Sequence, residues 1–521
     1  MKRSAILFAL VVLLMAGGPL AAQTRQTGVI AGQILETDGA VVPGASIFGS
    51  LTDGSYPQEV TSDDAGRFRI GFLPPGLYNL VVSADGYIPQ QIVEVRVRAE
   101  AQATVEVRLE RTPEVIEEAI IVTSEAPLID STTTELSTAL SSEEIQDLPI
   151  SRVATGLIDF VPGARADGVW GASTEQANQY QLDGVTVNQP GFGGDFLLPN
   201  PDWLEEVQVK GLGAGAEYGD FQGGVINMVT RSGSNSFKAA VRVNYEGKNL
   251  TGSNLNVEEA GEEVDTRWEA NGYIGGAFIK DKLYYFGSLG QVQTMTDVVD
   301  AEASVDSVVF LPVQEDRVES KVLGKLSWNP SMKDSFNFVL GYDDVESDPR
   351  GLDSFTSPEA GQRQESPSVF YSAAWNRPLG TANFLEVKFT GYSGEDNRLS
   401  LVGEDIPAVR ILGGNRNLFT NTVHTRSRDL DNNALVANWD GFLSSGRVTH
   451  QLKAGAEYNT GSWLEKRRRN GNLTWRPEEG DGPFDPDDPA TWGFISSDWE
   501  GFINLDAEIQ NAALYVQDYM D

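Results

Sequence analysis

The chain has 521 residues, 75 of them acidic and 39 basic, for a formal charge of −36. That excess repels phosphate backbones over most of any surface it forms and excludes nucleic acid as a partner. Length predicts more than one domain. The absence of cysteine excludes disulfides, thiol chemistry and a lipidated cysteine anchor. No run of about 18 apolar residues follows the N-terminal segment, which excludes a helical membrane protein but not one that crosses with strands.

Lys2 and Arg3 precede an apolar run, Ala5 to Met15, that gives way to small residues from Ala16 to Ala22. This is the pattern of a signal peptide over residues 1–22, too short for a membrane helix and removed on export. Residues 26–111 then alternate short β-like runs with turn signals, as in Val29 to Leu35 before Asp38-Gly39 and Arg67 to Phe72 before Pro74-Pro75-Gly76. A small sandwich of the immunoglobulin-like or transthyretin-like kind is expected. The segments VPGASI (Val42 to Ile47), DDAGRFRI (Asp63 to Ile70) and LPPGLYNLVVSADGY (Leu73 to Tyr87) resemble the carboxypeptidase regulatory-like domain. The resemblance implies an accessory, non-catalytic module. A metallocarboxypeptidase centre needs histidine ligands, and the chain's only histidines, His424 and His450, lie far outside this region.

Residues 112–126 break the rhythm. Glu114, Glu117 and Glu118 lead into Ala119-Ile120-Ile121-Val122-Thr123, and Pro127 stops the run. One short strand is expected here, readable as a last strand of the sandwich, as an inert linker, or as a strand that adds to a partner's sheet. Residues 127–235 form an α+β unit. Ser141 and Glu144 fit a capping box, and a second helical stretch, Val153 to Phe160, ends at Pro162-Gly163. Trp170, Phe192, Phe196 and Trp203 follow in glycine-rich loops. Two β-branched runs, Val207 to Val209 and Val225 to Val229, then flank a connection holding Gly211, Gly213, Gly215, Gly219, Gly223 and Gly224.

The order EVQV, Gly, AEYG, GGVINMVT within Glu206 to Ser232, together with Tyr180-Gln181-Leu182-Asp183-Gly184-Val185, resembles the plug domain of TonB-dependent outer-membrane receptors. Leu148-Pro149 and Pro162-Gly163 match the LP-then-PG pattern of that family.

From residue 236 to 521 the period changes to two. Phe237, Ala239, Val241, Val243 and Tyr245 alternate with Lys238, Arg242, Asn244 and Glu246, and the same face recurs in Phe336, Phe338, Leu340 and Tyr342. Leu385, Val387 and Phe389 alternate with Glu386, Lys388 and Thr390, and Leu452, Ala454, Ala456 and Tyr458 with Gln451, Lys453 and Glu457. A soluble sheet with one buried face obeys the same rule. Strands numbering on the order of ten, long polar loops and aromatics near strand ends favour a transmembrane antiparallel β-barrel. Those aromatics are Tyr284-Tyr285-Phe286, Trp328, Trp375 and Trp439. A plug-enclosing barrel of about 22 strands needs more chain than residues 236–521 supply. The expectation is therefore the N-terminal part of a barrel, C-terminally truncated, with LYVQD at Leu514 to Asp518 resembling a mid-barrel strand.

Other candidates are weaker. DGPFDPDDP at Asp481 to Pro489 lacks the spacing of a calcium loop and reads as a solvated loop. Lys466-Arg467-Arg468-Arg469 suits lipopolysaccharide phosphates or an anionic ligand, or is simply a polar loop base. No GxSxG elbow or phosphate loop is present, so an enzyme, a metal centre and a cofactor are not expected.

The resemblance is to the Oar-type and SusC-type branches, in which a carboxypeptidase regulatory-like extension precedes the plug. It implies a receptor in the cell outer membrane, in contact with its lipid and lipopolysaccharide, with the N-terminal domain in the periplasm. It implies that Ala119, Ile120, Ile121, Val122 and Thr123 form the TonB box, which pairs with the periplasmic domain of TonB from the inner-membrane energising complex. Trp170, Phe192 and Phe196 become candidates for touching an extracellular ligand, and a surface lipoprotein a further partner. The other reading is an adhesin or structural surface protein with the same architecture and no active import. Siderophore, vitamin, oligosaccharide and peptide receptors share this scaffold, so ligand identity is not fixed by it.

Overall fold

The computed structural model describes residues 26–112, 122–125, 137–148, 154–165, 168–169, 174–191, 193–194, 196–211, 214–219, 221–250, 262–298, 313–353, 356–380, 383–410, 418–445, 448–472, 474–475, 495–496 and 502–520. In the first segment, alternation decides the layers. Along Gln102–Leu109, Val105, Val107 and Leu109 are buried while Glu106 and Arg108 are exposed. Such faces meet from two sheets. One orders its strands Arg67–Leu73, Gly28–Glu36, Gln102–Leu109; the other orders Gln58–Thr61, Ser46–Leu51, Gly76–Ser83, Gln90–Val97, Val122–Glu125. Ile30, Ile34, Ile47, Phe68, Ile70, Leu80, Val82 and Ile92 fill the space between them. Each such side chain contributes roughly 1.5–3 kcal/mol when fully buried.

The second unit is a five-stranded mixed sheet ordered Val185–Thr186, Gln179–Leu182, Val225–Thr230, Leu204–Lys210, Ser137–Ser141. Val225–Thr230 is buried along its whole length, as a central strand covered on both faces must be. Asp183 and Gly184 close the hairpin between Leu182 and Val185 with φ of 48° and 73°. A two-residue type I′ turn requires positive φ at both positions, which Asp-Gly tolerates best. The short helix Ser142–Asp147 starts at the expected capping box: the Ser141 side chain accepts from the Glu144 amide, and the Glu144 carboxylate accepts from the Ser141 amide at 2.8 Å. A 3-10 helix, Ala154–Phe160, ends just before Pro162.

The third unit is a twelve-stranded, antiparallel sheet that curves around the second. Val241, Val243, Tyr245, Phe338, Leu340, Phe389 and Tyr458 are exposed on its outer face, whereas Glu386, Lys388, Thr390 and Glu457 are buried on the inner one. Apolar-out and polar-in is the inverse of a soluble sheet and the signature of strands in lipid. Strand ends divide cleanly. Connections at 279–283, 331–334, 379–383 and 445–448 are tight, while those at 247–262, 298–313, 350–368, 395–424 and 469–502 are long. In this architecture short turns face the periplasm and long loops the exterior. Trp328 stacks on Phe336 and Tyr285 on Phe278, and with Trp375 and Trp439 they form one girdle at the short-turn end.

Two expected girdle members are corrected here. Tyr284 and Phe286 flank Tyr285 and, by the period of two, point inward, where they are 0% and 4% exposed. Lys238–Gly247 and Phe502–Met520 are the two edges of the sheet, and no pairing joins them among the described residues. No helix among the described residues is long and apolar enough to cross a membrane.

Candidate functional site

The plug lies against the inner face of the large sheet, and one hydrophobic cluster runs across the boundary. Tyr180, Leu182, Trp203, Val207 and Met228 of the plug pack with Phe286, Leu323, Val339, Phe370, Leu430 and Trp463 of the sheet. Trp203, first in view as a loop aromatic, is thus a core residue. Around this cluster the contacts are polar and buried or partly buried. Lys325 donates to the Asp183 carboxylate at 3.3 Å and to the Thr230 carbonyl at 3.0 Å, and Asp183 also accepts from the Thr230 amide at 3.0 Å. Arg242 meets Asp202 at 2.6 Å, Asn200 donates to Glu269 at 2.9 Å, and Lys321 donates to the Leu198 carbonyl at 2.8 Å. Arg231 reaches the Tyr273 hydroxyl at 3.0 Å and lies over that ring. Buried charges are tolerated because each is paired and hydrogen-bonded.

At the short-turn end the sandwich closes on both other units. Arg69 makes a bidentate pair with Asp440, at 2.8 and 3.1 Å, and lies over the Phe384 ring. Tyr56 stacks on Tyr284 and donates to the Gly233 carbonyl at 2.9 Å. Glu100 pairs with Lys210 at 2.8 Å and accepts from Tyr218 at 2.6 Å. Of the five residues expected to form a TonB box, Val122 and Thr123 sit in the strand Val122–Glu125, which runs parallel to Gln90–Val97 at the edge of the sandwich, opposite Gln90 and Gln91. Ala119, Ile120 and Ile121 lie outside the described residues.

The long-loop end holds the plug apex. Tyr392 donates to the Asn188 carbonyl at 2.6 Å, and its ring centroid lies 5.3 Å from that of Phe196. A Cβ built on Gly394 would come within 2.6 Å of the Phe196 ring, so this aromatic is packed against the sheet backbone. Trp170 and Phe192, the other two aromatic candidates, lie outside the described residues, as does the acidic loop 481–489. The basic run Lys466 to Arg469 is split by the pleat. Arg467 shares the inner face with Trp463, while Arg468 faces the other way and pairs with Glu404 at 2.7 Å.

Beside Arg467 the inner face gathers arginines that no contiguous motif announces. Asp396 pairs with Arg398 at 3.5 Å and Arg428 at 3.6 Å, and also with Arg426; Arg428 and Arg467 share Glu465 at 3.1 and 2.5 Å. Burial draws the Arg398 guanidinium down to about 10, with Asp396 opposing the shift and crowding by Arg350, Arg426 and Arg428 adding to it. Only strand register brings these residues together, through Gln364 opposite Arg398, Arg398 opposite Arg426, and Arg426 opposite Arg467. Among the described residues no cluster of histidines and carboxylates is placed to hold a metal ion.

Residues 29–110 match the carboxypeptidase regulatory-like domain. Over 299 residues the chain is 28% identical to the TonB-dependent transporter Oar of Myxococcus xanthus, covering 50% of this chain and 28% of that protein. Its fold is similar to that of the outer membrane transporter YddB from Escherichia coli, with a TM-score of 0.54 at 17% identity over 74% of this chain and 54% of that one. The ferric citrate transporter FecA gives a TM-score of 0.52 at 14% identity over 75% and 54%. The chain thus spans about half the length of these solved structures and less than a third of the curated relative.

Proposed function

We propose that this chain, an outer-membrane homologue of TonB-dependent transporters that opens with a carboxypeptidase regulatory-like domain, captures an extracellular ligand and imports it when TonB rearranges the plug. The observation that carries the reading is how the plug is seated. It fills the concave face of a lipid-facing sheet, yet it is held there by ion pairs such as Lys325 with Asp183 and Arg242 with Asp202. Such contacts are directional, and breaking the buried ones is costly, so moving the plug calls for an energy input of the kind TonB supplies. An adhesin needs no movable plug, and the comparisons lend that reading no support.

Capture is assigned to the outer apex around Phe196, with Trp170 and Phe192 as the further aromatic candidates from the sequence. Release is assigned to the segment Ala119 to Thr123. Its last two residues lie on a sheet edge beside Gln90 and Gln91, which supports it as a segment that adds to strands. Binding, plug movement and passage require no covalent step, so no enzyme activity is assigned. Lipid meets the outer face around Val241 and Leu340, and lipopolysaccharide the outer rim.

Replacing Ile121 by proline removes one backbone donor from the strand that would pair with TonB. The expected result is loss of uptake with ligand binding at the cell surface retained, and a peptide of residues 112–126 that no longer captures the periplasmic domain of TonB once it carries the change. Equal uptake by mutant and wild type would refute the assignment.

A further inference from the structure

We propose that Arg398, Arg426 and Arg467, flanked by Arg350 and Arg428 on the inner face of the outer rim, seat a small multivalent anion carrying two or more carboxylate or phosphate groups. This names a ligand class for the receptor proposed above and takes its biological role from that reading. The binding itself does not depend on it.

Register supplies the first argument. Arg398 lies directly opposite Arg426, and Arg426 directly opposite Arg467, across two antiparallel strand pairs. Residues facing each other in this way have Cβ atoms roughly 4.5–5.5 Å apart, and like charges so placed destabilise a sheet. Asp396 lies against both Arg398 and Arg426, and Glu465 against Arg467, so carboxylates offset part of this repulsion, whereas one step along Glu465 stands directly opposite Arg428.

Charge balance is the second. Asp396 is shared by Arg398, Arg426 and Arg428, and Glu465 by Arg428 and Arg467, while Arg350 adds its own field near Asp396. Among the described residues, five guanidinium groups face the shared carboxylates Asp396 and Glu465, with Glu315 near Arg350, which leaves a local excess of positive charge in a chain whose net charge is −36. A donor is also left over: among the described residues, Nε of Arg426 is buried without a hydrogen-bond partner. A planar fork of N–H donors matches the paired oxygens of carboxylate and phosphate.

Placement is the third. Arg398 and Arg467 keep 30% and 33% of their side-chain surface open, and the row lies on the face that also carries Leu430 and Trp463. Arg428 reaches Gln189 of the plug apex at 3.5 Å, so an anion held here rests beside the plug. Lipopolysaccharide phosphates share the chemistry but approach from the outer face of the sheet. A diffusible ligand entering from outside fits the inner face.

The test is calorimetric titration of the full-length protein in detergent with tripolyphosphate and with tricarballylate, repeated in lipid nanodiscs with and without lipopolysaccharide. Wild type is expected to bind both probes, with or without lipopolysaccharide. The double variant Arg398→Gln, Arg426→Gln should bind at least about tenfold more weakly, since two charge-assisted contacts are lost. Asp396→Asn removes the competing carboxylate and should bind several-fold more tightly, a change that misfolding does not produce. Absence of binding by wild type, equal affinity in all three proteins, or binding that requires lipopolysaccharide overturns the proposal. Capture of TonB by residues 112–126 is read separately, so either reading can fail while the other stands.

Discussion

Asp183 has no exposed surface, and its carboxylate is held by Lys325 from the sheet and by Thr230 from the neighbouring plug strand. Removing one partner of such a pair strands a buried charge, at a cost of about 3–5 kcal/mol. Lys325→Met is therefore expected to lower the opening free energy of the plug strand Val225–Thr230 by that amount, read by amide hydrogen exchange on the full-length protein. Adding Asp183→Asn should recover part of the loss, because the neutral amide leaves no uncompensated charge and asparagine tolerates the positive φ of that turn. Unchanged protection in Lys325→Met would show that the pair does not seat the plug. The same reasoning separates the arginine row from this pair. Around Asp183 the charges balance one to one, whereas around Asp396 they do not.

Among elements, the strand Lys238–Gly247 states the logic of the large sheet most simply. Val241 is 82% exposed on the outer face, while Arg242, the next residue, turns inward to Asp202. A charge is accepted on one side and costly on the other. Val241→Arg should destabilise the sheet in lipid by about 2–4 kcal/mol if the residue lies near the bilayer midplane, seen as a lower folded fraction in vesicles. A folded fraction equal to wild type would place this face in water. Alternation was legible in the sequence because each residue reports its own side, and so were the capping box at Ser141 and the fold class of all three units. Pairing was less so. That Arg398, Arg426 and Arg467 stand in one row depends on register across three strands, and nothing local in the chain encodes it. Tyr284 and Phe286 depart from the expected girdle for a related reason: three adjacent aromatics suggest a girdle, but alternation allows only the middle one to face out. The strand Val122–Glu125 was foreseeable as a strand, a last strand of the sandwich among its readings, while its parallel pairing with Gln90–Val97 required the folded sandwich.

At the scale of the molecule, one axis carries a polarity. The sandwich meets the short-turn end through Arg69, Tyr56 and Glu100, the plug fills the concavity, and the arginine row stands at the long-loop end. This polarity makes the account directional: the segment assigned to TonB and the face assigned to the ligand must lie on opposite sides of the outer membrane. Because the sequence contains no cysteine, single cysteines report that arrangement without background. The measurement is labelling of intact host cells with a membrane-impermeant maleimide, using Thr37→Cys in the sandwich and Asp405→Cys beside the outer rim, both at exposed positions. The account predicts labelling of Asp405→Cys in intact cells and of Thr37→Cys only after the outer membrane is permeabilised. Labelling of Thr37→Cys in intact cells, or protection of Asp405→Cys, would contradict it.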